Sequence, residues 1–304
     1  MTAPHLFCFG LGYTATALAR RLGGSGWVVS GTCRAAEKAA TLREEGFRAE
    51  LFDRGRPLSK GAFAGPTHLL VSVPPDGAGD PVLTTHRNEI PAGLSWVGYL
   101  STTGVYGDRG GGWVDETAAL LPTGERGRRR VAAEAGWLDL WRSRGVPVHI
   151  FRLAGIYGPG RSAFDALRAG TAKRIDKPGQ VFSRIHVEDL ATVLIASMTR
   201  PRPGAVYNVC DDNPSSPDAV VAHAAALLGL PAPPLMPLAA AGLSPMARSF
   251  YDDNKQVANG LIKSELGVIL RYPDYRAGLA AILADETCRK MRRPASSTEK
   301  THPG

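Results

Sequence analysis

Apolar and polar positions alternate along the first half of this chain in a regular rhythm. Short apolar runs, read as strands, fall at His5–Phe9, Val28–Thr32, Arg48–Phe52, His68–Val73, Trp96–Ser101 and Val148–Leu153. Stretches with helical spacing fill the gaps at about 14–23, 36–45, 81–92 and 127–144. Strands that read as near-continuous apolar runs and alternate with helices build a parallel sheet covered on both faces, with right-handed crossovers. The expected architecture is an α/β doubly wound parallel sheet with a smaller C-terminal α/β lobe. After about Gly158 the rhythm breaks. Lys177-Pro178-Gly179 and Pro201-Arg202-Pro203-Gly204 punctuate shorter elements. Ile185 to Ser197 reads as a helix returning to the main sheet and Val206–Val209 as one more strand. Leu227 to Pro245 reads as loop, and helices are expected at about 254–266 and 274–286. The division that follows is 1–160 for the sheet domain, with 185–209 rejoining it, and 161–291 for the smaller lobe. There is no internal repeat.

The first strand runs straight into Gly10-Leu11-Gly12-Tyr13-Thr14-Ala15 and then into good helix formers. Strand, glycine turn and helix in that order form a dinucleotide-binding fingerprint of the Rossmann type. Gly10 permits the tight turn and Gly12 lets the backbone approach a pyrophosphate. Tyr13 and Thr14 open the helix, whose free N–H groups and positive dipole end suit phosphate. Ala15 is small enough for the helix to pack close to the sheet. At the end of the second strand, where a carboxylate would favour NAD, the chain has Thr32-Cys33-Arg34. Arg34 suits a 2′-phosphate, so NADP is the first choice and NAD the second; a solvated loop arginine is the plainer alternative. Asp53 can accept hydrogen bonds from adenine or serve a turn. Val73 and Pro74, followed by Pro75, are expected as the wall beside adenine and also as a rigid turn.

Composition narrows the setting. Hydrophobic residues make up 44 % of 304, enough for a large core, and no apolar stretch is long enough to span a membrane. No signal peptide is evident, so a cytoplasmic protein is expected. Cys8, Cys33, Cys210 and Cys288 are too scattered for a metal site or a disulfide framework. The histidines likewise lack metal-ligand spacing, and Cys8 falls in a strand as a core residue. The formal charge of +8 suits anionic small molecules. Basic clusters lie at 126–130 and 290–293, but without an aromatic–basic module no nucleic-acid partner is expected. Residues 292–304, rich in Pro, Ser, Thr and Lys, read as a disordered tail.

Four further segments carry a family resemblance. Ser101-Thr102-Thr103-Gly104-Val105-Tyr106-Gly107, Arg152 to Gly160, Arg184 to Ala191, and Tyr207-Asn208-Val209 resemble the motifs of the extended short-chain dehydrogenase/reductase superfamily, the epimerases and dehydratases of nucleotide sugars. The resemblance covers about residues 5 to 286. It implies that Thr102 is the catalytic hydroxyl that bonds the reacting oxygen. Ser101, Ala154, Gly155 and Ile156 fall in the matched segments and are expected along the cofactor. Relatives dimerise through helices that include the Glu134 region, so a homodimer is implied.

Two departures matter. Arg126 to Glu134 matches the family frame Y-G-x-x-K-x-x-x-E with Arg126 at the tyrosine and Arg130 at the lysine. The glycine turn also has G-x-G-x-x-A spacing in place of G-x-x-G-x-x-G. Both resemble the atypical subgroup of the superfamily. A guanidinium stays protonated at any usable pH and cannot shuttle a proton. Arg126 can clamp an anion or stabilise an oxyanion; Arg130 can reach the nicotinamide ribose. Both arginines facing solvent is the alternative. Tyr106 is the first candidate for the missing acid, with water, Tyr157 and His186 as others. Two functions stay open: an NAD(P)-dependent oxidoreductase or epimerase-like enzyme acting on an anionic carbonyl or hydroxyl substrate, nucleotide sugars among the candidates, or a non-catalytic NADP(H)-binding sensor.

Overall fold

The structure is a computed structural model, and it describes residues 3–59 and 61–292. The tail expected from residue 292 lies, from 293 onward, outside the described residues.

The main sheet has seven strands: β1 (His5–Phe9), β2 (Val28–Cys33), β3 (Arg48–Leu51), β4 (His68–Val71), β5 (Trp96–Thr102), β6 (Val148–Leu153) and β7 (Val206–Val209). All pair in parallel, in the order β7-β6-β5-β4-β1-β2-β3. The chain starts at β1, walks out to β3, then returns to β4 and walks out the other way to β7. That reversal leaves a crevice at the carboxyl ends of β1 and β4, where open α/β sheets bind ligands. The fold is thus a Rossmann-type doubly wound sheet.

Strand alternation sends alternate residues to two separate cores. From β1, Leu6 and Cys8 join one face with Ala15, Leu18 and Leu22 of α1 (Tyr13–Gly23) and Leu42 of α2 (Ala36–Glu44). Phe7 and Phe9 join the other with Val82 of α3 (Pro81–His86) and Trp137 and Leu140 of α4 (Glu125–Arg144). Each fully buried Leu or Phe contributes roughly 1.5–3 kcal/mol, so the two cores together hold the sheet rigid beneath the crevice.

Past β6 the elements shorten. They are α5 (Ala163–Arg168), α6 (Val187–Thr199), α7 (Pro217–Leu227), α8 (Pro245–Ser249), α9 (Gly260–Ser264) and α10 (Tyr275–Arg292), with β7 between α6 and α7. Three two-stranded parallel ribbons join them: Gly155–Tyr157 with Arg184–His186, Arg174–Asp176 with Leu235–Pro237, and Trp113–Val114 with Gln256–Val257. Several expected boundaries shift. The helix expected at 81–92 stops at His86; Asp80 caps its start by accepting from the N–H groups of Val82 and Leu83 at 2.9 and 3.0 Å. The helix expected at 254–266 splits, because Gln256 and Val257 are drawn into a ribbon and only Gly260–Ser264 stays helical. The stretch expected as loop contains a short strand, Leu235–Pro237, and α7 forms from a Ser216-Pro217 start that the rhythm alone does not announce. Among the described residues no helix is long and apolar enough to cross a membrane, and no cluster of His, Cys, Asp and Glu could hold a metal.

Candidate functional site

The turn after β1 is held on both sides. The Gly10 N–H donates to Thr32 Oγ1 at 3.0 Å and the Leu11 N–H to the Thr32 carbonyl at 2.7 Å. Ser72 Oγ donates to the Gly10 carbonyl at 2.6 Å. Gly10 has φ +90°, and a Cβ there would stand 2.7 Å from Ser72 Oγ, so only glycine fits. Gly12 is different. Its φ of −90° suits any residue, yet a Cβ would meet nothing within 4 Å. It caps α1 with no side-chain acceptor, and the first intrahelical bond runs from Thr16 N–H to Gly12 O. The N–H groups of the first turn therefore face open space with the positive end of the helix dipole behind them. Ala15 is fully buried against the sheet, and Thr14 is buried beside it.

Two cavities meet at Gly12 and Ser72, which line both. The first, about 660 Å³, runs over the ends of β2 and β3 and is lined by Arg34, Lys38, Asp53, Val73 and Pro74. Arg34 and Lys38 are exposed and neither pairs with a carboxylate among the described residues. Asp53 Oδ1 accepts from the Gly55 N–H at 2.9 Å and Oδ2 lies 3.5 Å from Arg56, so it serves a turn at the cavity wall. Beside it Arg54 forks onto Asp76 with two 2.8 Å bonds and closes that end.

The second cavity, about 820 Å³, lies over the ends of β5 and β6 and is lined by Tyr13, Ser101, Thr102, Arg126, Arg130, Ala154, Gly155 and Ile156 among others. Thr102 Oγ1 accepts from the Gly104 N–H at 3.1 Å, which leaves its hydroxyl proton for a ligand. Arg130 is held by Tyr99 Oη at 3.0 Å and the Leu100 carbonyl at 2.6 Å. Its neighbours Arg128 and Arg129 pair with Glu125 in solvent instead. One helical turn before Arg130, Arg126 projects from α4 over the ring of Phe250, 5.1 Å from its centroid. The two arginines thus share the cleft face of α4.

Tyr106 does not reach the cleft. It is fully buried, its hydroxyl donating to Asn208 Oδ1 at 2.7 Å and accepting from Arg152 Nη1 at 2.9 Å. Burial pushes its phenol up, and it is no proton donor to a ligand. Glu134, carried by α4, is buried as well; it pairs with Arg152 at 2.9 Å and accepts from Ser101 Oγ. Ser101 therefore braces this internal network from the cavity floor. Tyr157 lines the cavity by its ring, but its hydroxyl donates to the Asp274 carbonyl at 3.2 Å and burial pushes it up. His186 caps α6 through Nδ1, 3.2 Å from the Glu188 N–H. Burial pushes it down to about 4, so it is neutral at physiological pH and takes no part in the cleft. Tyr13 reaches across to the Pro159 carbonyl at 3.1 Å.

The far wall carries residues that sequence patterns did not single out: Arg161, Arg184, Tyr251 and Lys255. Arg184 Nη1 donates to the carbonyls of Phe182 and Ser215 at 2.9 and 3.0 Å, and no carboxylate among the described residues lies within ion-pair distance. Lys255 pairs with Asp253 at 3.1 Å. The wall is cationic, and the only signal for Arg184 in the sequence is its place at the head of the Arg184–Ala191 segment.

No family model matches the chain. Protein YeeZ of Escherichia coli (strain K12) is 27% identical over 279 residues, covering 87% of this chain and 95% of that protein. The solved structure of a functionally unknown conserved protein from Silicibacter pomeroyi DSS matches with a TM-score of 0.86 and 54% identity, covering 93% of this chain and 99% of that one. The dTDP-glucose 4,6-dehydratase of Bacillus anthracis str. Ames, solved in complex with NAD, matches with a TM-score of 0.75 at 15% identity over 95% of this chain and 98% of its own. The chain shares its fold with that dehydratase. The chain belongs to the family of the Silicibacter pomeroyi protein, to which it is 54% identical over 93% of its length.

Proposed function

We propose that this protein binds a nicotinamide dinucleotide along both cavities, NADP in preference to NAD, and uses it as an oxidoreductase or epimerase-like enzyme on an anionic carbonyl or hydroxyl substrate. One observation carries the reading: the uncapped start of α1, with open space where the Gly12 Cβ would stand, lies where the two cavities join. Oriented N–H groups in such a place suit a pyrophosphate. Arg34 and Lys38 at the adenosine end support a 2′-phosphate; against them, the similar dehydratase was solved with NAD.

When bound, the dinucleotide supplies or accepts the hydride. The chain supplies position and charge. Thr102 holds the reacting oxygen through its free hydroxyl proton. Arg130, fixed by Tyr99 and Leu100, sets a permanent positive charge beside the nicotinamide ribose. Arg126, Arg161 and Arg184 present guanidinium groups to an anionic substrate, with bidentate grips available. These cations favour carboxylates and phosphates, including the diphosphate of a nucleotide sugar.

Fluorescence titration with NADPH and NADH, followed by turnover on a panel of short carbonyl acids and nucleotide sugars, tests the reading. NADPH binding and turnover that falls in Thr102→Ala are expected. Absence of binding refutes it. Tight binding with no hydride transfer to any compound identifies a dinucleotide sensor instead, which the arginine at position 126 would suit.

A further inference from the structure

Three tyrosines line the larger cavity: Tyr13, Tyr157 and Tyr251. The hydroxyls of the first two are spent on the carbonyls of Pro159 and Asp274. The Tyr251 hydroxyl meets no hydrogen-bonding partner among the described residues. Its ring is set edge-on against Phe182, centroids 5.3 Å apart at 81°. Its N–H donates to the Arg248 carbonyl at 2.8 Å, and Lys177 Nζ donates to its own carbonyl. The backbone at Tyr251 is therefore pinned while the phenol end is free.

Position adds a second point. Arg126 stands where the resemblance places a tyrosine, and its guanidinium rests on Phe250, the residue just before Tyr251. The chain that passes that vacated seat thus carries a phenol one residue further on. Arg184 lines the same wall and is tethered to the Phe182 carbonyl, so its charge is fixed close to the ring that packs on Phe182. Burial raises the phenol while the Arg184 charge opposes that rise and Asp218 adds to it. Asp253 and Lys255, which follow on the same segment, pair with one another.

We infer that Tyr251 is the proton donor to the reacting oxygen, delivered to the cleft from the C-terminal side, with Arg184 as the cation that stabilises its phenolate. The inference rests on the dinucleotide reading above. In the reducing direction the carbonyl carbon takes a hydride from the reduced nicotinamide, which is thereby oxidised. The C=O π pair moves onto oxygen, and that oxygen takes the Tyr251 proton as the phenol O–H breaks. Solvent returns a proton to the phenolate. In the oxidising direction each transfer reverses.

The full-length protein is nitrated with tetranitromethane, with and without NADP⁺, and the modified tyrosines are identified by mass spectrometry. Nitration of Tyr251 that falls at least about fivefold with NADP⁺ is expected. The visible absorbance of the nitrophenol then reports its titration, with Tyr251→Phe as the blank. Its midpoint should rise by about half a unit or more in Arg184→Gln and stay nearer wild type in Arg184→Lys, which keeps the charge. On any carbonyl compound that turns over, Tyr251→Phe should lose about a hundredfold or more in kcat, with NADPH affinity within about twofold. If NADP⁺ binds by calorimetry yet leaves Tyr251 unprotected, or if Arg184→Gln leaves the midpoint unmoved, the inference falls. Wild-type turnover in Tyr251→Phe overturns it too. If NADP⁺ does not bind at all, the dinucleotide reading itself is what fails.

Discussion

Gly10 and Gly12 lie two residues apart, and alanine at each should do opposite things. At Gly12 the backbone is already in a region open to any residue, and an added methyl meets no protein atom. Replacing glycine by alanine at a helix cap costs about 0.5–1 kcal/mol, offset by about 0.4–1 kcal/mol from a less flexible unfolded chain. Gly12→Ala should therefore unfold at nearly the wild-type urea midpoint. Its methyl nevertheless stands in the path of a phosphate approaching the free N–H groups of α1. Each charge-assisted hydrogen bond lost is worth about 1.5–3 kcal/mol, so losing two weakens NADPH binding roughly 10²–10⁴-fold. Gly10→Ala must instead hold φ +90° and press its methyl 2.7 Å from Ser72 Oγ. The left-handed backbone alone costs about 1–2 kcal/mol. The clash adds to it, and stability should fall by roughly 2–4 kcal/mol. Urea denaturation followed at several probes measures the first quantity and calorimetric titration with NADPH the second. A folded Gly12→Ala that binds NADPH as tightly as wild type would remove the reason for placing phosphate at α1.

The other expectations concern charge. Glu134→Ala leaves Arg152 buried without its partner and should cost about 3–5 kcal/mol in urea denaturation, with Glu134→Gln milder because the amide still accepts from Ser101. Arg34→Ala should weaken NADPH binding about tenfold and leave NADH within about twofold, measured by paired fluorescence titrations; equal losses would mean that Arg34 does not read the 2′-phosphate. Acid should destabilise the fold. His68, His149 and His186 are each pushed down to about 4 by burial, so their contribution is complete above about 6.5 and is lost as pH falls toward 4. Asp211, pushed up to about 7 by burial, acts in the opposite sense between about 4 and 7. From these four groups alone the loss from pH 7 to 5 is of order 3 kcal/mol; Asp80, Glu116 and Asp189, also pushed up by burial, oppose it, and His186→Asn, which keeps an oxygen to cap α6, should show a shallower loss by urea titration at the two pH values.

What could be read in the sequence was what local physics dictates. The turn at Gly10 demands glycine through its positive φ, and the apolar runs of β1, β4, β5 and β6 suit only a sheet covered on both faces. Arg126 and Arg130 were picked out by the family frame rather than by local physics, and both line the larger cavity. Tyr106 shows the limit. Its place after β5 was clear, but its hydroxyl is claimed by Arg152 and Asn208, which arrive from β6 and β7. Glu134 turns inward for a similar reason, drawn by Arg152 and Ser101. Tyr251 sits in a stretch with no helical or strand period, and only tertiary contacts, its own to Lys177 and Phe182 and that of Phe250 to Arg126, give its position meaning. Gln256 and Val257 left the expected helix because Trp113 and Val114 offered strand pairing.

These placements divide the cleft by chemistry. The α4 side holds the guanidinium groups of Arg126 and Arg130, which can stabilise negative charge. The free phenol stands on the other side, on a segment whose preceding helix, α8, buries none of its residues. That segment is tied down by Lys177 to the Tyr251 carbonyl, by Gln180 Nε2 to the Asp253 carbonyl at 2.9 Å, and by Thr123 Oγ1 to Asp253 Oδ1 at 2.6 Å. The exposed contact of Arg126 with Phe250 is worth only about 0.5–1 kcal/mol, small beside the cost of holding a phenol in place unaided. The guanidinium at position 126 thus does two jobs that a tyrosine there could not combine: it offers permanent charge to an anion, and it steadies the chain that carries the hydroxyl. The proton donor inferred at Tyr251 thus stands on a segment that α4 touches through Arg126 and Phe250.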